Sequence, residues 1–169
     1  MTNDFFEVRL SRGLVALVSN SSKHLVENKR WFALKAKVGF YAARNIRRED
    51  GKWTLELMHR VIAGANSSEM VDHKNHDPLD NRLDNLRLCT HSQNMRNLRK
   101  QKNRSSKFKG VTAKKTTFHA AIYKDGRTIH LGSYPNEQLA ARAYDRAAGE
   151  LYGEWALTNS DMNLYSEAI

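Results

Sequence analysis

The stretch VDHKNHDPLDNRLDNLRLCTHSQNMRN, residues 71–97, decides how this chain is read. Residues 69–73, EMVDH, have the composition of a short strand, and LRLCT, residues 86–90, of a second. Between them KNHDPLDNRLDN, residues 74–85, holds Pro and a run of Asp and Asn, as a polar loop does. Thr90 is placed to cap a helix over residues 91–100. Strand, loop, strand and helix then bring Asp72, His73, Asn85 and Asn94 onto one small site.

Those residue types suit one chemistry. Hydrolysis of a phosphodiester needs a base to take a proton from water, and a cation to neutralise charge on the phosphate and the departing oxygen. A neutral His meets the first need at physiological pH. Carboxylate and amide oxygens suit Mg²⁺, which keeps several waters of its own. Asp72 and Asn94 could hold such an ion while His73 faces the water. Asp77, Asp80 and Asp84 do not follow the EF-hand spacing and are expected to form turns. His59 falls in an apolar pattern and is expected to be a satisfied, partly buried histidine, with an approach to DNA at the edge of the site as the alternative. His76 is expected to be a loop residue and Cys89 a small buried hydrophobe.

Working outward, the chain has 169 residues, with 28 Lys and Arg against 18 Asp and Glu, a net charge of +10. That length suits one ordinary domain or two small ones. Apolar residues make up 40%, enough for a core. A single cysteine excludes an internal disulfide and a cysteine-based zinc cluster. No apolar run reaches the roughly 18 residues of a membrane span, and MTNDFFEVRL at the start lacks the core of a signal peptide. A soluble, cytoplasmic protein is expected. The excess charge favours a polyanion, with nucleic acid first.

The charge is concentrated. RKQKNRSSKFKGVTAKK, residues 99–115, holds eight basic residues and no acidic one. Its first half, residues 99–106, is expected to be a basic linker that tracks phosphates. Before the core stretch, residues 6–19 suggest two short strands around a Gly turn, 21–31 a short helix and 31–46 a hairpin. The spacing of Leu55, Leu57, Met58, Val61 and Ile62 predicts a helix over residues 54–65. After the linker, 108–114, 117–124 and 127–134 are strand-like, with Asp125-Gly126 as a hairpin turn. Residues 136–153 predict a helix whose apolar face is Leu139, Ala143, Ala147 and Leu151, flanked by Ala140, Tyr144 and Tyr152.

The stretch at 71–97 resembles the core of the HNH nucleases, closest in style to HNH homing endonucleases of bacteriophages and mobile introns. The resemblance spans roughly residues 54–100. It implies a strand–strand–helix core with one Mg²⁺ or Mn²⁺, His73 as general base, Asp72 and Asn94 as metal ligands, and Asn85 as the brace of the loop. Many members carry His where this chain has Asn94, and His91 on the same helix is expected to be a surface histidine or a phosphate contact, with an alternative ligand as the lesser reading.

Residues 107–159 resemble the APETALA-type, or ethylene-response-factor, DNA-binding domain. Lys109-Gly110-Val111, the strand IHLGSY, AARAYDRAA and Leu157-Thr158-Asn159 carry the likeness. It implies three antiparallel strands packed on one helix, with the exposed sheet face in the major groove. Candidate DNA contacts are Arg99, Lys100, Lys102, Arg104, Lys107, Lys109, Lys114, Lys115, Lys124 and Arg127, with Thr112, His119, Tyr123 and His130 on the sheet face. Thr112 and Tyr123 stand where plant members carry Arg, and His130 where they carry Trp, so the likeness carries the fold better than the base preference.

The expected protein is therefore α+β: a nuclease domain over residues 1–98 with its core at about 54–98, the linker, the DNA-binding domain at 107–159 and a tail at 160–169. The expected activity is metal-dependent, site-directed cleavage of duplex DNA, as a nick or a double-strand break. A homing role in a bacterial or phage-infected cell is implied, with one ion per site, no membrane or small-molecule partner, and a monomer. The alternative is a catalytically silent, sequence-specific DNA-binding regulator derived from such a nuclease.

Overall fold

The computed structural model describes residues 4–37, 39–99 and 105–165, and the chain falls into two compact units that meet between Asn94 and Met95. In the first unit, β1 (Phe5–Arg9) and β2 (Val15–Ser19) form an antiparallel hairpin, Phe5 opposite Ser19 and Arg9 opposite Val15. The connection turns through Arg12 and Gly13, both at positive φ. A single helical turn, α1 (Lys23–Val26), follows. Then β3 (Phe32–Ala36), β4 (Gly39–Arg47) and β5 (Trp53–Leu57) form an antiparallel meander.

The helix expected over residues 54–65 is replaced by β5 and a short α2 (Met58–Ile62). The cause is pairing with β4. Arg47 lies opposite Trp53 and Ala43 opposite Leu57, and the Arg44 guanidinium ion-pairs with Glu56 across the two strands. The alternation Trp-Thr-Leu-Glu-Leu satisfies a strand as well as a helix over so short a run, and the neighbouring strand decides between them.

Next come β6 (Met70–His73), the two-residue β7 (Asp80–Asn81), β8 (Leu86–Cys89) and α3 (His91–Asn97). β6 and β8 pair antiparallel, while β7 leaves them and joins β2 in parallel, Leu17 opposite Asp80 and Val18 opposite Asn81. Thr90 does cap α3. Its hydroxyl accepts from Gln93 N at 3.2 Å, and the Gln93 side chain accepts from Thr90 N at 2.8 Å, a reciprocal capping box. The core beneath these elements gathers Val8, Ala16, Val18, Val26, Trp31, Met58, Ile62 and Leu86.

The second unit is a sheet of β9 (Val111–Ala113), β10 (Phe118–Lys124) and β11 (Arg127–Tyr134), in the order β11-β10-β9 and all antiparallel. α4 (Glu137–Tyr152) follows, capped by Asn136, whose side chain accepts from Leu139 N at 2.9 Å. Its alanines Ala140, Ala141 and Ala143 share one core with Phe108, Val111 and Ala120 of the sheet side. Ala143 and Ala147 of the expected α4 face are buried, as are the flanking Ala140, Tyr144 and Tyr152 together with Ala148, but Leu139 is 44% exposed, so the buried side is shifted toward the flank. Small side chains let the helix lie close on the sheet, and the larger Leu139 is left at the rim. Residues 160–165, expected to be tail, also pack, with Leu164 and Tyr165 against the Phe108 cluster.

Candidate active site

Asp72 and His73 are neighbours in β6, so their side chains leave on opposite sides of the β6–β8 ribbon. Asp72 lies opposite Arg87, which reaches its Oδ2 with both Nε, at 2.9 Å, and Nη2, at 2.8 Å. Cys89 is buried nearby, and burial with the Asp72 charge pushes its thiol up, as expected for an inert small hydrophobe. His73, the last residue of β6, is buried on the other side. Burial holds its imidazole below the ordinary histidine range, against the opposing pull of Asn81 and the nearby Asp72, Asp77 and Asp80.

The ring of His59, from α2, stands edge-on to the His73 ring, with centroids 5.1 Å apart and planes at 77°. Tyr41 of β4 completes the cluster, 5.3 Å from His59 and 6.1 Å from His73. The sequence-based expectation for His59 is corrected here. It is buried, and its Nδ1 has no hydrogen-bond partner among the described residues. Burial, then His73, then Arg60 hold its pKa down at about 3. An orphaned buried polar atom next to a candidate base is a feature that needs a reason.

The loop between β6 and β8 is built by side-chain-to-backbone bonds. Asn85 Oδ1 accepts from Asn75 N at 3.0 Å, and its Nδ2 donates to Asp80 O at 2.7 Å, so one buried amide ties both limbs of the loop. Asp77 Oδ1 accepts from Leu79 N at 3.0 Å, as a turn former does. Asp80 is buried and forked by Arg82 Nε at 2.8 Å and Nη2 at 2.7 Å, and that pairing holds its carboxyl below the usual range. Asn81, which no sequence pattern singled out, brings Oδ1 to 3.4 Å from His73 Nε2.

Asn94 is half-buried on α3, its backbone N–H bonded to Thr90 O at 3.0 Å, and His91 is exposed at the helix start. Among the described residues no three His, Cys, Asp or Glu side chains converge as a metal cage. The residues expected to hold a cation, Asp72 and Asn94, offer one carboxylate and one amide, oxygen donors of the type that suits a cation retaining most of its waters. Arg87, Asn81 and Tyr41 are the neighbours that the sequence reading missed, and for His59 it missed the place against His73. The signal for Arg87 is its place opposite Asp72 in a hairpin register, whereas the placement of Asn81, Tyr41 and His59 depends on long-range packing.

The candidate DNA contacts divide. Thr112, Tyr123 and His130 are exposed and His119 half-buried on the sheet, where the rings of His119 and His130 meet edge-on at 5.5 Å. Arg99, Lys107, Lys114, Lys115 and Arg127 are exposed, and Lys124 is half-buried. Lys109 differs from the expectation. Its Nζ donates to Arg96 O at 2.6 Å, and burial draws its amine down to about 8, so its charge is used inside the unit. Lys100, Lys102 and Arg104 lie outside the described residues, as does most of the expected linker.

With this geometry in place, the comparisons with known proteins define the class. The HNH endonuclease family profile matches residues 56–96, the span from β5 to α3. An HNH endonuclease of Acanthamoeba polyphaga mimivirus is 33% identical over 152 residues, covering 88% of this chain and 76% of that protein. The chain belongs to the HNH endonuclease family. It is also similar in part to plant proteins. An AP2-like ethylene-responsive transcription factor of Arabidopsis thaliana is 36% identical over 78 residues, covering 39% of this chain and 26% of that one. A putative AP2/ERF and B3 domain-containing protein of Oryza sativa subsp. japonica is 43% identical over 56 residues, covering 32% and 18%. No solved structure matches the chain. Among the described residues no helix is long and apolar enough to cross a membrane.

Proposed function

We propose that this HNH-family nuclease hydrolyses phosphodiester bonds of duplex DNA, with His73 as the base and one divalent cation held by Asp72 and Asn94. The observation that carries the reading is His73 itself: a buried imidazole, kept neutral at physiological pH, next to Asp72 along β6 and at the mouth of a loop braced by a buried Asn85. A neutral imidazole takes a proton from water as the water attacks phosphorus. Because Asp72 and His73 diverge from one strand, the reacting phosphate would lie across the end of β6, where both can reach it. Arg87 keeps the Asp72 carboxylate oriented through its two bonds to Oδ2. A Mg²⁺ or Mn²⁺ ion bound there supplies charge neutralisation on the phosphate and the leaving oxygen.

The second unit would hold DNA, with its exposed sheet face and the surrounding Lys and Arg residues taking phosphates and base edges. Two linked DNA-binding parts raise each other's effective concentration on one duplex. The partial likeness to plant transcription factors and the basic run at 99–115 support this. A homing role, in which an allele lacking the element is cut, extends the same reading.

The test is plasmid cleavage with and without Mg²⁺ or Mn²⁺, on plasmids carrying DNA that flanks the gene. Metal-dependent conversion to open circle or linear, lost in His73→Ala with DNA affinity kept, is the expected result. Binding without cleavage on any flanking DNA would sink the nuclease reading and leave a silent DNA-binding regulator.

A further inference from the structure

Three rings meet beside the β6–β8 loop, and only one of them reaches solvent. His59 and His73 are each 7% exposed, whereas Tyr41 is half-buried. Tyr41 stands on β4 opposite Leu34 of β3, and its neighbour Phe40 turns to the other side of the sheet, onto the core. The Tyr41 ring lies 5.3 Å from the His59 ring and 6.1 Å from the His73 ring, tilted to both. Its hydroxyl has no hydrogen-bond partner among the described residues. Burial, and after it the charge of Asp72, push its ionisation above the ordinary value, so it remains an O–H donor. Distances set what such a donor can touch. A water activated by His73 lies about 3 Å from the ring nitrogen, and the phosphorus it attacks about 3 Å beyond. A reacting phosphate is then held at the same range from His73 as Tyr41, and it arrives from the one side of the cluster that is open.

We propose that Tyr41 is a further catalytic residue: its hydroxyl donates a hydrogen bond to a non-bridging oxygen of the scissile phosphate and holds the phosphorus in front of the water that His73 activates. This rests on the nuclease reading, with His73 as the base. As the water oxygen adds to phosphorus, negative charge builds on the non-bridging oxygens. A fixed donor then binds the transition state more tightly than the resting phosphate. The hydroxyl gives up no proton in the step. Its place is set in advance, because the buried His59 ring packs against both Tyr41 and His73 and fixes the spacing between them. Asn85 and Arg87 are not free for this task. The Asn85 amide is used on Asn75 and Asp80 of the loop, and the Arg87 guanidinium on Asp72.

The experiment uses Tyr41→Phe, which keeps the ring and removes only the hydroxyl, in the full-length protein with Mn²⁺ and duplex DNA that flanks the gene. DNA affinity should stay within a few-fold. Single-turnover cleavage should fall about 10–100-fold, the usual cost of losing a hydrogen bond to a charged group. Two further duplexes carry sulfur in place of one or the other non-bridging oxygen at the cut, and sulfur accepts hydrogen bonds poorly. On one of them the wild type should slow to nearly the Tyr41→Phe rate, and on the other the gap between the proteins should persist. An unchanged rate in Tyr41→Phe, or the same gap on all three duplexes, overturns the proposal. A second readout needs no cleavage. In metal-free protein labelled with 3-fluorotyrosine, the ¹⁹F signal that Tyr41→Phe lacks should shift when duplex binds. Binding without that shift overturns the proposal. A shift in a protein that cuts no DNA keeps Tyr41 at the DNA but sinks the nuclease reading, and the catalytic role with it.

Discussion

Asp145 of α4 receives both the backbone N–H and the side-chain amide of Asn159 on a single carboxylate oxygen, at 2.7 and 2.8 Å. Asn159 is fully buried and, on its other side, bonds both the N–H and the C=O of Lys109, at 2.6 and 3.1 Å. The remaining oxygen of Asp145 accepts from Ser160 N at 3.1 Å and Tyr165 Oη at 2.6 Å. One carboxylate thus ties the end of the described chain, α4 and the entry to β9 together. Asp145→Ala strands a buried amide and should cost about 2–4 kcal/mol. Urea unfolding of the full chain measures it, and an unchanged midpoint would show that the tie is not holding the second unit.

Gly110 makes a second, purely steric prediction. A Cβ placed on it would lie 1.8 Å from Cδ2 of Tyr144, and its φ is +74°. Neither backbone nor a buried ring can yield that much room. Gly110→Ala should destabilise the second unit by about 2–4 kcal/mol, combining overpacking with strain at a left-handed backbone position. Adding Tyr144→Ala should recover the overpacking part, so the double variant loses less than the sum of the singles. Strict additivity would mean that the Tyr144 ring is not the obstacle.

The cluster around His59 makes the protein sensitive to acid. The unfolded chain takes up a proton on His59 near 6.5, the folded chain only near 3. Between those values the unfolded state binds more protons, so stability falls as pH drops, by up to about 1.4 kcal/mol per pH unit. The burial of His73 adds in the same direction. His59→Phe keeps a ring against His73 and removes the orphaned Nδ1. It should match or exceed the wild type in stability near neutrality and show a shallower fall on acidification. Denaturation series over that pH range give both curves, and parallel curves would contradict the assignment.

Arg87 balances a buried carboxylate, with side-chain exposures of 12% for Arg87 and 8% for Asp72. Arg87→Met leaves that carboxylate without its guanidinium and should cost about 3 kcal/mol, the usual penalty for breaking a buried pair from one side. Under the proposed function it should also disturb cleavage by letting Asp72 turn, which a titration of rate against Mn²⁺ concentration would read. Wild-type stability in Arg87→Met would show that the pair is not holding β6 to β8.

Much of this fold follows from local pattern. Asp125-Gly126 forms the hairpin turn because both residues take positive φ, and Thr90 with Gln93 closes α3 by a reciprocal cap. The strands at Met70–His73 and Leu86–Cys89 fall where the composition places them, and Asn85 ties the loop between them. Where a pattern fits two structures, locality fails. The run from Trp53 to Leu57 reads as helix until Arg47 to Ala43 pair with it, and the sheet chooses which side of α4 is buried, taking Tyr144 and Tyr152 and leaving Leu139 exposed.

The same division runs through the site. The sequence by itself determined the residue types and their order: Asp72 and His73 at a strand end, an Asn-rich loop, Asn94 on the next helix, and a basic run leading to a second unit. Those depend on short-range chemistry, namely turn residues, caps and alternation. Tertiary structure alone decided what surrounds the imidazole. Asn81 reaches His73 because β7 leaves its own hairpin to pair with β2, more than sixty residues earlier in the chain, as Val18 opposite Asn81 records. His59 and Tyr41 arrive on α2 and β4 by core packing. Contacts of that kind leave no period in the sequence, since they depend on distant segments burying apolar surface together rather than on any residue's neighbours.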